Sequence, residues 1–431
     1  MGDISQGSGI STIRSGDFEL GSGDVVSPIA AGLAVGEITP ILIMPLIADL
    51  TLTEGAGSAT FARTNAVSTF LDSGTGLISD AAANVARFEA GGLLVEGASQ
   101  NVLVRAEEQS NASWVIVSAT TVTADQIVAP DGATTADEVK ATATGSDRGF
   151  IRQFTSQAGS TKHTVSTFCK AGVTEWLRMA NRALGGAASL ASVWFDLNNG
   201  VIGTEGSNVD SGKITALNNS WFRCSNTGTT EAVPAVNIID VVAVDGDNTS
   251  LVTNNDTIFP WGTQLETLAF ASSYIPTTSA AVTRSADSLD IDAANIPGPT
   301  EDYTVSFECD HVGLDSALSQ VLFNVEGETT RRIEWDTATG AIKATHGAVT
   351  STSTSTFSAG TSVKVAFVVN DTTQTLYIDG VAEDSDAKGT ATGTTTAVNL
   401  GHQANTNEAY SHIKTLQIDS GARTPVQVAA L

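Results

Sequence analysis

The sequence predicts an all-β protein, two tandem antiparallel β-sandwiches behind an extended N-terminal arm, and three observations predict it. Apolar and polar residues alternate in many short runs with the period of two that a strand with one buried face imposes. Asn-Gly and Asp-Gly steps, which tolerate the backbone of tight hairpins, separate several of those runs. The block from Ile258 to Asp287 then divides the runs into a longer first set and a shorter second one. In that block Trp261 and Leu265 can pin a closing strand onto a core, while Pro260 and Pro276 are expected to interrupt the ladder.

Composition agrees with this class. A chain of 431 residues exceeds one ordinary domain, and the length suggests about two to three. Apolar residues make up 41% and charged residues 16%, with a mean hydropathy of +0.07, values of a globular chain and not of a disordered or membrane-embedded one. The net charge is −26, and no Lys or Arg occurs between Arg223 and Arg284. Such a surface repels phosphate backbones and anionic lipid, so nucleic-acid and membrane partners are not expected. Cys169, Cys224 and Cys309 lie far apart in alternating runs, which predicts buried free thiols and no disulfide framework. Residues Met1 to Gln6 lack the basic and apolar segments of a signal peptide. The apolar stretch from Val25 to Leu50 is broken by Pro28, Glu37, Pro40, Pro45 and Asp49, which excludes a spanning helix. Synthesis in a cytoplasm is the expectation.

Taken in order, residues 1–58 are punctuated by Gly and Pro and carry the apolar burst Ile41 to Ile47. They predict an attachment arm, the burst packing either on another subunit or particle surface or on the chain's own domain. Residues 59–99 hold short strands around Phe61 and Phe70 with a glycine turn at Ser73 to Gly76, a connector. Residues 100–287 carry the first sandwich. His163, Val165, Thr167 and Cys169 alternate with Thr164, Ser166, Phe168 and Lys170, and Asn198-Asn199-Gly200 turns the run from Val193 to Leu197 into Val201-Ile202. Residues 288–431 carry the second. From Tyr303 to Asp310 every odd position is apolar or aromatic and every even one polar, predicting one face on the core and one in water. Asp379-Gly380 turns a hairpin, and Thr424 with Pro425 predicts a capped helix from Val426 to Leu431.

Two linked blocks carry a resemblance. Ala83 to Glu89 followed by Gly92 to Leu103, and Trp261-Gly262-x-Gln264-Leu265-Glu266 followed by Ser273 to Thr277 and Thr283-Arg284-x-x-Asp287, resemble the opening and closing signatures of carbohydrate-binding-module-like jelly rolls in tailed-phage virion proteins. Residues 288–431, through Leu376 to Val381 and His412 to Ile418 above all, resemble the laminin-G-like, concanavalin-A-like lectin sandwich. The resemblance implies a place on a virus particle, as a fibre, spike or other surface appendage. The first expectation is a fibre or spike that is held to other virion proteins by its arm and binds host glycan. The alternative is a structural head or tail appendage that binds only virion proteins, and a polysaccharide depolymerase comes behind both. The resemblance implies no chemistry by itself. Open sheet edges and weak single sites further predict a homo-oligomer, a trimer by preference.

Candidate chemistry is sparse. Glu334 and Asp336 flank Trp335 on one strand face, the spacing a glycoside hydrolase of lectin fold would use, but no further carboxylate follows. They read as a solvated face, and no enzyme is expected. Asp245, Asp247 and Asn248, and the group Asp379, Asp384 and Asp386, offer oxygen ligands of the kind calcium prefers, though turns favour these residues anyway. Calcium is the one cofactor this pattern admits. His163, His311, His346, His402 and His412 show no zinc spacing. Trp176, Trp194, Trp335 and Tyr377 are the aromatic candidates for stacking on a sugar, in a chain whose aromatic residues amount to 6% and must also fill the cores.

Overall fold

Alternation becomes strand where the sequence shows it: Lys162–Ala171, Tyr303–His311 and Val363–Val369 are all extended and paired. The computed structural model describes residues 38–431 apart from 66, 157, 185–189, 231–235, 329 and 404–406. The chain divides into two units, Met1–Glu37 and Ile38–Leu431, so most of the expected arm lies outside the described residues. The second unit is all-β. An eight-stranded and a seven-stranded antiparallel sheet enclose one core, and two six-stranded antiparallel sheets enclose another. Among the described residues no helix is long and apolar enough to cross a membrane.

The strand pairing adds an order that alternation alone does not reveal. The C-terminal strand Ser411–Ser420 pairs on one side with Tyr303–His311. Its other side is shared end to end by Gly92–Val95, at Ser411 to Ile413, and by Thr39–Met44, at Leu416 to Ser420. In the opposite sheet Ala59–Ala62 pairs with Ser288–Asp292. Leu42, Met44, Leu46, Phe61, Leu93 and Val95 therefore belong to the same core as Phe307, Phe323 and Trp335. Of the two packings open to the burst at Ile41, the one on its own chain is found, where it supplies an edge that Ser411–Ser420 would otherwise leave unpaired. Residues before the first sandwich thus complete the second. The chain enters and leaves the first sandwich through a two-stranded ribbon, Ser99–Asn101 against Val282–Arg284, so that sandwich is inserted into the other.

Turn chemistry follows the sequence. Gly200 has φ +66° after Asp196, whose carboxylate accepts from the Asn198 and Asn199 amides. Asp379 and Gly380 both have positive φ, 47° and 80°, as a tight turn between right-twisted strands requires. Thr424 caps Pro425–Val428 in a capping box with Gln427, and the helix ends at Val428, short of Leu431. Val428 packs on Ala366, Val368 and Tyr377.

Two local expectations are corrected. Pro260 does not stop its strand: Thr257–Glu266 runs through it, because the neighbour Thr134–Ala141 is in register only with Thr257 and Ile258 and asks no donor of the proline. The interruption comes instead at Gly262, φ +61°, where pairing with Lys162–Ala171 is bulged. The supposed water faces are also partly covered. Thr164, Ser166 and Phe168 are buried, Thr164 donating to the Leu268 carbonyl, and Thr304 is buried where it donates to Gly421 and accepts from the Arg423 amide. Chain passing over the outer side of each sheet takes the place of solvent.

Candidate functional site

The two sequence blocks on either side of the first sandwich meet in space. Asn101 uses its whole amide there, donating to the Thr263 and Ile275 carbonyls and accepting from the Leu103 and Leu265 amides. Around it lie three guanidiniums, Arg63, Arg87 and Arg284, and three carboxylates, Glu96, Glu266 and Asp287, all buried. Arg87 bonds both Glu96, at 2.7 Å, and Asp287. Arg63 reaches Asp287 at 3.2 Å and Arg284 reaches Glu96 at 3.1 Å. Glu266 accepts from Ser99, Ser272 and Gln264. Burial opposes the Glu96 charge, yet Arg284 and Arg87 hold its carboxyl down at about 2. Breaking one member of such a set leaves an uncompensated buried charge, so these residues join the two sandwiches and are not free for chemistry.

Beside this junction a cavity of about 310 Å³ lies between the sandwiches, within the size range of small-ligand sites. One wall is the outer face of Ser211–Ala216 and Phe222–Thr229, with Lys213, Arg223, Ser225 and Thr227; the other includes Asp310, His311 and His412. Phe70, Phe168, Phe270 and Tyr274 contribute aromatic surface. Phe168 and Tyr274 meet edge to face at 5.8 Å, and Tyr274 donates to Glu107. Phe270 packs edge to face on Tyr410 at 5.0 Å, over Gly313, where a Cβ would lie 2.1 Å from the ring.

His412 bridges the two parts of the second sandwich across this wall, with Nδ1 2.8 Å from Asp310 and Nε2 3.2 Å from Glu89. Burial opposes its charge, but the hydrogen bonds to Asp310 and Glu89 raise its pKa to about 9. The folded value lies above the unfolded one, so the contact's stabilisation is full below about pH 6.5 and is lost as pH rises through about 9. Urea unfolding between pH 6 and 10 is expected to show a decline of up to roughly 3 kcal/mol that His412→Gln removes; equal slopes for both proteins would contradict it.

The sequence candidates fare unequally. Trp335 is 2% exposed, in the core against His311, with Nε1 donating to Ser411. Tyr377 is 7% exposed, beneath Val428. Trp194 is 8% exposed and donates to the Thr249 carbonyl. Only Trp176 of the four is half-buried, on the same outer face as Trp194 and one diagonal step away, since Trp176 pairs with Asp196 and Arg178 with Trp194. Glu334 pairs with Arg332 at 2.8 Å and Asp336 with Lys343 at 3.2 Å, so each carboxylate is held by a neighbouring cation and not by its fellow. Asp245 turns to Thr253 and Asp247 to Thr204, while Asp379, Asp384 and Asp386 accept from Lys364, Thr352 and Ser351. Burial, then Asp245 beside it, raises the Asp256 carboxyl to about 6. Among the described residues no group of three or more His, Cys, Asp or Glu could hold a metal ion. The three cysteines are free and buried.

The cavity itself escaped sequence reasoning. Its walls come from segments hundreds of residues apart, and the one available signal was the outward polar face Lys213-x-Thr215 and Arg223-x-Ser225-x-Thr227, which alternation alone assigns to solvent.

Residues 283–429 match the family model of the concanavalin A-like lectin/glucanases superfamily, Laminin_G_3. Among curated proteins none matches the chain. Solved structures that overlap this chain include domain 4 of the extracellular arabinanase AbnA from Geobacillus stearothermophilus, at 19% identity over 38% of this chain and 80% of that one, TM-score 0.26. Trypanosoma rangeli sialidase overlaps at 10% identity over 72% of this chain and 61% of that one, also with a TM-score of 0.26. Overlaps this loose carry no argument about ligand or chemistry.

Proposed function

We propose that this chain is a non-enzymatic glycan-binding protein displayed as a fibre or spike on a tailed-phage particle, with the cavity between its sandwiches as the sugar site. The observation that carries the binding part is that cavity, where aromatic rings face a wall of hydroxyls and charged groups, the combination that holds the apolar face and hydroxyl edge of a pyranose. The lectin-superfamily match of residues 283–429 supports it. The particle assignment rests on the two signature blocks, whose residues converge at the junction. Attachment to other virion proteins falls to the Gly-punctuated residues 1–37, and a trimer, readable as native mass, would multiply a weak site.

Binding of the intact labelled chain to a glycan array tests the reading. Phe270→Ala is expected to weaken any binding roughly tenfold, and Tyr377→Phe to leave it unchanged; an array blank for the intact chain would refute the sugar site. A second reading, contact with virion proteins alone, is favoured by Val115 and Phe154. They are 44% and 49% exposed and share the outer face at one edge of a six-stranded sheet. Such a protein would bind particles and no saccharide.

A further inference from the structure

We propose that the cavity between the sandwiches selects saccharides that carry a carboxylate, received by the Arg223 guanidinium and the Lys213 ammonium while the Phe168, Phe270 and Tyr274 rings bound the sugar. The inference rests on the glycan-binding reading and narrows it to acidic sugars.

It begins with the distribution of charge. At the junction three guanidiniums face three carboxylates, and each of Glu96, Glu266 and Asp287 is engaged. Across the cavity Glu89 and Asp310 are both bonded to His412. Arg223 and Lys213 differ. Among the described residues neither has a carboxylate within ion-pair distance, although both line the same cavity in a chain of net charge −26.

Arg223 is held without being satisfied. Its Nη2 donates to the Ser166 hydroxyl at 3.1 Å, and its guanidinium carbon lies 5.3 Å from the centre of the Phe168 ring. Its Nε is buried and has no hydrogen-bond partner. A buried donor left without an acceptor is costly even on a half-buried side chain such as Arg223, and a planar carboxylate is the acceptor whose geometry matches a guanidinium fork. Burial lowers the Arg223 pKa even with Glu266, Glu96 and Glu89 nearby.

Lys213 supplies the second charge. In register Lys213 faces Ser225 and Thr215 faces Arg223, so the two cations are diagonal neighbours on one sheet face, about 7–8 Å apart at their Cα atoms. Lys213 is exposed as a residue, yet desolvation and then Arg223 lower the pKa of its ammonium. Two like charges on one diagonal repel, and an anion between them removes that repulsion. Ser225 and Thr227, which continue the same wall, offer hydroxyls to the rest of the ring.

The test is an array and titration with the intact chain, using uronate-, ulosonate- and pyruvate-bearing oligosaccharides beside their carboxyl-reduced or neutral counterparts. Wild type is expected to prefer the acidic members. Arg223→Gln is expected to cost roughly tenfold or more in affinity for them, and Lys213→Gln, at the open rim where folding is not at stake, to cost affinity in the same direction. In both variants the loss for acidic sugars should exceed the loss for their neutral counterparts, and the melting temperature of Lys213→Gln should equal wild type. Equal binding of acidic and neutral sugars, sulfated sugars bound in place of carboxylated ones, or acidic binding unchanged in both variants would overturn the inference and leave the glycan-binding reading standing. No saccharide bound at all would overturn both.

Discussion

Asp287→Ala is expected to destabilise the whole chain by about 3–5 kcal/mol. The Asp287 carboxylate accepts from Arg63, from Arg87 and from the Glu96 amide, with all three side chains buried. Removing it leaves two guanidiniums sharing what remains of the anionic charge, and water cannot replace it without opening the junction. Because the junction ties the ribbon of the inserted sandwich to the strands around Arg63 and Arg87, the first unfolding transition should move to markedly lower urea. A loss under about 1 kcal/mol, the range of exposed pairs, would show that these charges are solvated and that the junction is not a closed network.

Leu42→Ala combined with Met44→Ala is expected to cost at least as much. Each side chain is fully buried in the core of the second sandwich, and truncating a buried Leu or Met costs about 2–5 kcal/mol. Together the two should leave that sandwich unfolded or marginal while the inserted one keeps its own core of Val165, Met179 and Val241. A near-UV spectrum or proteolysis pattern like that of wild type would contradict the placement of Thr39–Met44 beside Ser411–Ser420.

These two expectations mark where the sequence was readable. The class and the hairpins were legible because they are local: an Asn-Gly step or an alternating octapeptide states its geometry within a few residues, as at Gly200 and from Tyr303 onward. The insertion was not, since nothing in the run Thr39–Met44 names a partner more than 370 residues away. The signature blocks were visible as motifs, but their work as an ion-paired junction appeared only when Arg87, Glu96, Arg284 and Asp287 came together.

Of the four aromatics that the sequence offers, Trp194, Trp335 and Tyr377 are buried and Trp176 is half-buried. Trp335 lies in Arg331–Asp336, whose alternate residues are buried, and that alternation places its ring in the core, whereas Tyr377 lies on the outer face of its strand and is covered by Val428 of the C-terminal helix. The rings that border the cavity, Phe270 and Tyr274, belong to the segment after Glu266 that crosses the outer face of its sheet, where no periodicity operates. Arg223 and Lys213 lie on a polar strand face of the kind that alternation alone assigns to solvent, and the second sandwich stands against it.

The most direct measurement of the central claim is titration of the intact chain with purified surface polysaccharide of the host, run alongside an assay for new reducing ends. Saturable binding that Phe270→Ala weakens, with no polysaccharide cleaved, is the predicted result. Cleavage of the polysaccharide, or no binding while the same chain still joins the particle, would contradict it.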